Sequence, residues 1–200
     1  MMRRLALLAL PLALPLATTG CVSIGGKPPK ALLTLTSQSA LPPGSVQSAA
    51  SSPTISIQTP VVPQSLATAR IPVQTGERVA YIRDVYWVEA PQRLFARLVS
   101  DTLAARTGRV VLSFSQAFTD PGARLSGELR NFGIMSDGGN AGSAVVTFDA
   151  ALIRTPEGKV EKRRFEARVP VSPIDGNSVG PALNQAANQV AAEIADWVGK

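Results

Sequence analysis

The pattern that most narrows the fold lies in residues 144–171. In AVVTFDAALIR (144–154), Val146, Phe148, Ala150 and Leu152 take every second position, with Thr147 and Asp149 between them. In KVEKRRFEARVPV (159–171), Phe165, Ala167, Val169 and Val171 alternate with polar residues, and Lys162, Arg164, Glu166 and Arg168 form the other set. A period of two sends successive side chains to opposite faces of a strand. TPEG (155–158) between the runs supplies turn residues. The pair reads as a β-hairpin with one apolar and one wet face, the signature of an antiparallel sheet covered on one side only. Such a sheet needs a second layer.

Two amphipathic helices can provide it. In APQRLFARLVSDTLAARTG (90–108), Leu94, Phe95, Leu98, Val99, Thr102 and Leu103 fall on one stripe, opposite Arg93, Arg97, Ser100 and Asp101. Pro91 suits the first helical turn and Gly108 the stop. In NSVGPALNQAANQVAAEIADWVGK (177–200), Leu183, Ala187, Val190, Ile194 and Trp197 make the apolar stripe, and Asn184, Gln185, Asn188, Gln189, Glu193 and Asp196 lie outside it. One-sided helices and a one-sided sheet satisfy each other by packing. The expected fold class is α+β, a two-layer sandwich of mainly antiparallel sheet against two amphipathic helices.

Further strands read at ALLTLT (31–36), TISIQT (54–59, Ile55 and Ile57 on one side), RIPVQT (70–75), RVAYIRDV (78–85), VVLSFSQAF (110–118) and ARLSGELRNFGIM (123–135). Gly76-Glu77 makes a tight turn between the third and fourth of these. Pro72 puts its strand at a sheet edge or a bulge. Residues 37–53, rich in Ser, Pro, Gly and Ala, read as a flexible loop, and SDGGNAGS (136–143) as a glycine-rich loop.

The N-terminus has a different character. MMRR is a positive leader, thirteen apolar residues follow, and TTGC closes the segment. That is the layout of an export signal, shorter than the ~20 residues of a membrane-spanning helix and interrupted by Pro11 and Pro15. No later stretch reaches ~18 consecutive apolar residues. Cys21 is the only cysteine and the chain has no histidine. A disulfide within the chain would lack a partner, and a thiolate nucleophile would lack its usual base. Gly20-Cys21 resembles the end of a bacterial lipoprotein signal, in which the thiol receives a diacylglyceryl group and cleavage leaves the cysteine first. Two or more acyl chains, at ~0.8 kcal/mol per buried CH₂, hold a protein stably on a membrane. By the same resemblance Val22, where aspartate would retain a lipoprotein at the inner membrane, favours the periplasmic face of the outer membrane. The expected organisation is a signal at 1–20, a lipidated tether at 21–30, and one α+β domain at 31–200 containing the flexible 37–53 loop.

Composition removes several functional classes. Without residues 1–20 the chain carries 18 basic and 14 acidic residues, a mild excess spread along its length. Its densest basic run is KVEKRR (159–164), which a solvated strand face explains, so no nucleic-acid partner is expected. Without histidine and with Cys21 assigned, triads and zinc sites are nearly excluded, and no metal or other cofactor is expected. Asp84, Glu89 and Asp101 surround the entry to the first helix, but no spacing singles out an acid/base pair. SDGGNAGS lacks the Lys-Ser/Thr end of a phosphate loop and precedes a strand. Tyr81, Tyr86 and Trp87 stand at a strand-to-helix junction. Core packing is the simpler role for them, and contact with lipid or a partner the functional one. Val85 and Trp87 share one face of the extended segment and Tyr86 takes the other.

The order of these elements resembles the ABC-type transport auxiliary lipoproteins. The residues that carry the resemblance are Leu66, Arg70, Ile71, Tyr81, Trp87, Pro91, Leu94, Leu98 and Leu103, then the 148–171 hairpin and the closing Ala-rich helix with Trp197. The resemblance implies a non-catalytic subunit, with no enzymatic activity of its own, of a lipid-handling system containing an MCE-domain protein and an ABC ATPase. It further implies a lipid anchor at Cys21, a place on the inner leaflet of the outer membrane, support of lipid passage and outer-membrane integrity, and ring-shaped homo-oligomers. It assigns no catalytic residue. The reading set against it is a structural or assembly lipoprotein of the outer membrane without a transport partner.

Overall fold

The computed structural model describes residues 32–112, 116, 121–155 and 158–200. The export signal, Cys21 and the tether lie outside the described residues, as do Pro156-Glu157 of the hairpin turn and 113–115 and 117–118 of the VVLSFSQAF run.

The hairpin forms as its alternation requires. Strands β7 (Gly142–Arg154) and β8 (Val160–Val171) pair antiparallel without a break from Gly142↔Val171 to Ile153↔Val160, which sets Phe148 opposite Phe165. Phe165, Ala167, Val169 and Val171 are buried, and Lys162, Arg164, Glu166 and Arg168 are exposed. Strand β6 (Ala123–Ser136) pairs antiparallel along the other edge of β7, with a bulge between Leu129 and Asn131. A Cβ at Gly127 of β6 would collide with the Asp149 carbonyl oxygen and the Phe148 ring, so the missing side chain is what admits that ring.

The far edge of β6 is shared end to end. Near its start it pairs with β2 (Thr54–Ile57), and near its finish with β3 (Arg70–Thr75). Both pairings are parallel. So are those of β2 with β5 (Val110–Leu112) and of β1 (Leu32–Leu33) with β4 (Arg78–Trp87). The eight-stranded sheet is therefore mixed, which corrects the expectation of a mainly antiparallel one. Alternation reports which face is covered, whereas strand direction is set by connections, and only tight hairpins enforce antiparallel neighbours. Pro72 lies in a strand flanked on both sides, at the irregularity between Arg70 and Pro72, so it marks the bulge and not an edge.

Helix α1 (Pro91–Thr107) starts with Pro91 and ends at Gly108 in the left-handed conformation (φ 65°). Its whole expected stripe is buried. Helix α2 (Gly176–Val198) is capped by Asp175, whose carboxylate accepts from the backbone N–H of Asn177 and Ser178 at 2.9 and 3.0 Å. The two helices pack on each other and α2 lies against β7 and β8. Leu183, Ala187, Val190 and Ile194 are fully buried, and Trp197 is half-buried against Phe165.

Asn188 departs from the pattern. Expected on the outer side, it is buried, because the segment after β1 runs along that side of α2 and its backbone groups need partners. The Asn188 amide donates to the Thr36 carbonyl at 3.0 Å and its oxygen accepts from Gln38 N–H at 2.8 Å. Asn184 accepts from Thr36 N–H at 2.8 Å. Residues 37–53 contain no strand or helix and are fastened to the helices by Ser37–Thr102 (3.2 Å) and by Gln47 donating to the Arg109 carbonyl (3.2 Å).

Asn188→Ala should lower stability by about 1–3 kcal/mol, the cost of stranding buried backbone groups. The urea midpoint measures it, with exposed Gln185→Ala as a control that stays within about 0.5 kcal/mol.

Candidate functional site

The junction from β4 into α1 gathers the aromatic residues singled out in the sequence. Arg70 pairs with Tyr86 and Pro72 with Tyr81, so β3 advances two residues while β4 advances five. The extra length is taken up around Asp84, a non-glycine residue at φ 57°. Beyond it Val85 and Trp87 pack on the core while Tyr86 remains half-buried beside Leu32 and Arg70.

Trp87 is 1% exposed, and its ring meets Phe132 at 5.4 Å between centroids. Its indole N–H is buried without a hydrogen-bond acceptor among the described residues, so apolar packing holds the ring. Trp87 therefore serves the core, and of the three aromatics only Tyr81 and Tyr86 retain surface. The Tyr81 hydroxyl donates to the Ser65 carbonyl at 3.2 Å, pinning the 3₁₀ turn Gln64–Leu66, and the Arg70 guanidinium lies 4.4 Å from its ring centroid.

The three acids do not form a reactive pair. Glu89 is bound to Arg97 at 2.6 Å. Burial pushes the Asp101 carboxyl above its ordinary range, partly offset by the charge of Arg97. Asp84 belongs to the β4 irregularity. No group of three or more His, Cys, Asp or Glu side chains suited to a metal occurs among the described residues. The glycine-rich loop closes on itself: the Ser136 hydroxyl donates to the Ala141 carbonyl at 2.9 Å and accepts from Gly138 N–H at 3.2 Å.

A polar lattice on the helix-free face of β6–β8 was not singled out by sequence. Asn131 donates to Thr147, Thr147 donates to Glu166 at 2.9 Å, and Arg168 holds the other oxygen of Glu166 at 2.8 Å. Next to it Arg164 grips Asp149 with two bonds of 2.6 and 2.7 Å, while Arg130 approaches both Asp149 and Glu128 at 3.5 Å. The hydrogen bonds from Arg164 hold the Asp149 carboxyl below its ordinary range. The only sequence signal for this lattice was the polar half of the alternation. Which residue faces which depends on register, and the bulge before Asn131 shifts it. Beside the lattice Ser126 and Ala151 floor an open groove of about 820 Å³, bordered by Val61, Lys162 and Arg164.

KVEKRR begins β8, with Lys159, Lys162, Arg163 and Arg164 all exposed. Arg163 lies over the Phe165 ring at 4.8 Å on the helix side, where Phe165 also meets Trp197 at 5.5 Å. Arg154 donates to Glu161 and to the carbonyls of Trp197 and Val198, closing the C-terminus of α2. Burial and the charge of Arg154 lower the pKa of nearby Arg109.

These features define a mixed α+β domain with ordered polar surfaces and no cluster of catalytic or metal-binding side chains among the described residues. The chain belongs to the family of ABC-type transport auxiliary lipoprotein components, whose model matches residues 34–195. No curated protein matches it. Among solved structures it is similar to protein XCC0632 from Xanthomonas campestris, with TM-score 0.70 and 20% identity over 84% of this chain and 94% of that one. An uncharacterized protein gives TM-score 0.62 and 18% identity, covering 73% and 92%. The PelC dodecamer from Paraburkholderia phytofirmans gives 0.43 and 16%, covering 72% and 86%. No helix among the described residues is long and apolar enough to cross a membrane.

A carboxyl held below its ordinary range stabilises the fold above the unfolded pKa of ~3.9, and that contribution is lost as pH falls through the folded value. In Arg164→Gln the Asp149 titration, followed by carboxyl NMR shifts, should move up towards the ordinary range. An unchanged midpoint would assign the depression to another cause.

Proposed function

We propose that this chain is a non-catalytic, lipid-anchored subunit of an ABC-type transport system, carried on Cys21 at the periplasmic face of the outer membrane. It supports lipid movement between the membranes, and with it outer-membrane integrity, alongside an MCE-domain protein and the ATPase that drives the cycle. It hydrolyses nothing itself, and it works as a homo-oligomer. The sheet and the helix pair act as two layers of one rigid body, held by a tether of some ten residues that reaches at most about 36 Å.

The observation that carries this reading is the family match over residues 34–195, most of the domain. The described surfaces agree with it. The acids at the α1 entry are spent on an ion pair and a backbone irregularity, and the glycine-rich loop binds its own hydroxyl. Tyr81 and Tyr86, half-buried beside the first described residues, are the aromatic surface on offer to lipid or a partner.

The test has two arms. Cys21→Ser should leave an unprocessed precursor that takes up no labelled palmitate, and normal labelling would remove the anchor. The wild-type lipoprotein, purified in mild detergent, should carry with it an MCE-domain protein encoded beside its gene. A lone gene, or clean purification without that partner, would remove the transport role.

A further inference from the structure

The two ends of the domain differ in charge, and the chain enters near one of them. A Cβ at Gly180 would lie 3.1 Å from Leu33, Thr36 bonds to Asn184, and Gln38 bonds to Asn188. The first described residues thus run beside α2 in its own direction, starting near its N-terminus. From Gly180 to Val198, at about 1.5 Å per residue, the helix covers roughly 27 Å. The entry end gathers the Gly76-Glu77 turn, the loop after Ser136 and the Asp175 cap. A Cβ at Gly138 meets Thr75, Ile174 N–H bonds to Asn140, and a Cβ at Gly176 meets Val85. Glu77, Asp84, Asp137 and Asp175 are found there with only Arg78 and Arg83.

The far end has the opposite balance. Three of its cations are matched: Arg106 by Asp196 at 2.7 Å, Arg154 by Glu161 at 3.1 Å, and Arg164 by Asp149. Five more, Arg109, Lys159, Lys162, Arg163 and Lys200, form no ion pair with a carboxylate among the described residues. They are contiguous, because Arg154 links the end of β7 to the last turn of α2, and Arg163 covers the ring that Trp197 touches. The C-terminal dipole of α2 accounts for Arg154 and Arg106. It does not account for Lys159, Lys162 and Arg163, which stand on the exposed edge strand β8 with Val160, 55% exposed, beside them. Cations around a half-buried tryptophan match the composition of a protein-contact patch.

We propose that this basic end, built on Lys159, Lys162, Arg163 and Trp197, is the docking surface for an acidic face of the transport partner. The inference rests on the transport reading above and adds to it where the partner binds and with what chemistry. The anchor leaves from the other end, so the basic end points away from the anchoring membrane, towards a protein that reaches it across the periplasm. Charge complementarity of this kind speeds encounter and selects orientation, and salt weakens it.

The probe is the purified periplasmic part of the MCE-domain protein encoded beside the gene, titrated against the full lipidated chain in detergent. Lys159→Glu/Lys162→Glu/Arg163→Glu should weaken binding tenfold or more, and wild-type binding should fall as salt rises from 50 to about 300 mM. Arg78→Glu/Arg83→Glu, at the entry end, should change it less than twofold. All substituted positions are exposed, and an unchanged melting midpoint confirms folding; the neutral variant Lys162→Gln/Arg163→Gln should give an intermediate loss. Equal binding by the wild type and the β8 variant overturns the proposal and leaves the transport reading standing. The same holds if the β8 variant loses binding only to vesicles of phosphatidylethanolamine and phosphatidylglycerol. No binding by the wild type overturns both.

Discussion

The fold depends on a column of rings. Trp87 of β4 meets Phe132 of β6 at 5.4 Å, Phe132 meets Phe95 of α1 at 6.4 Å, and Phe95 meets Phe148 of β7 at 5.3 Å. The β3–β4 hairpin otherwise joins the long strands through two parallel pairs, Val73↔Ile134 and Gln74↔Met135. Seating Trp87 requires the β4 irregularity, with Asp84 in a left-handed conformation that costs about 1–2 kcal/mol. Burying an aromatic side chain of 150–250 Å² returns roughly 4–6 kcal/mol at 25 cal/mol per Å². Burial wins, so the strained residue persists and Tyr86 is turned to the other side of the strand.

That arrangement separates what the domain does from what holds it together. The helices and the apolar face of the sheet are spent on each other, and polar function is left to the helix-free face, the β8 edge and the two ends. The entry end is acidic and lies towards the tether. The far end is basic and carries the exposed start of β8. A subunit that joins a membrane to a protein assembly needs two such faces, and it needs no catalytic cleft.

Much of this was legible in the sequence because it rests on local periodicity. The α1 stripe, its Pro91 start and Gly108 stop, the turn at Gly76-Glu77 and the alternation in β8 follow from rules that span a few residues. Parallel pairing of β6 with β2 and β3 was not legible, since it joins residues some 60 positions apart and no alternation encodes direction. Asn188 looked like an outer residue because its partners, Thr36 and Gln38, lie about 150 positions away. KVEKRR read as a solvated strand face, and so it is. Its neighbours Arg109, Trp197 and Lys200 join it only through the packing of α2. The aromatic trio was correctly placed at the junction, but the offset in β4 that buries Trp87 needed the register.

The most direct test is the rate at which labelled phospholipid moves between the inner and outer membranes of cells lacking this chain. The account predicts a slower rate, restored by the wild-type gene and not by Cys21→Ser. An unchanged rate, with the MCE-domain protein and the ATPase still present, would contradict a role in transport.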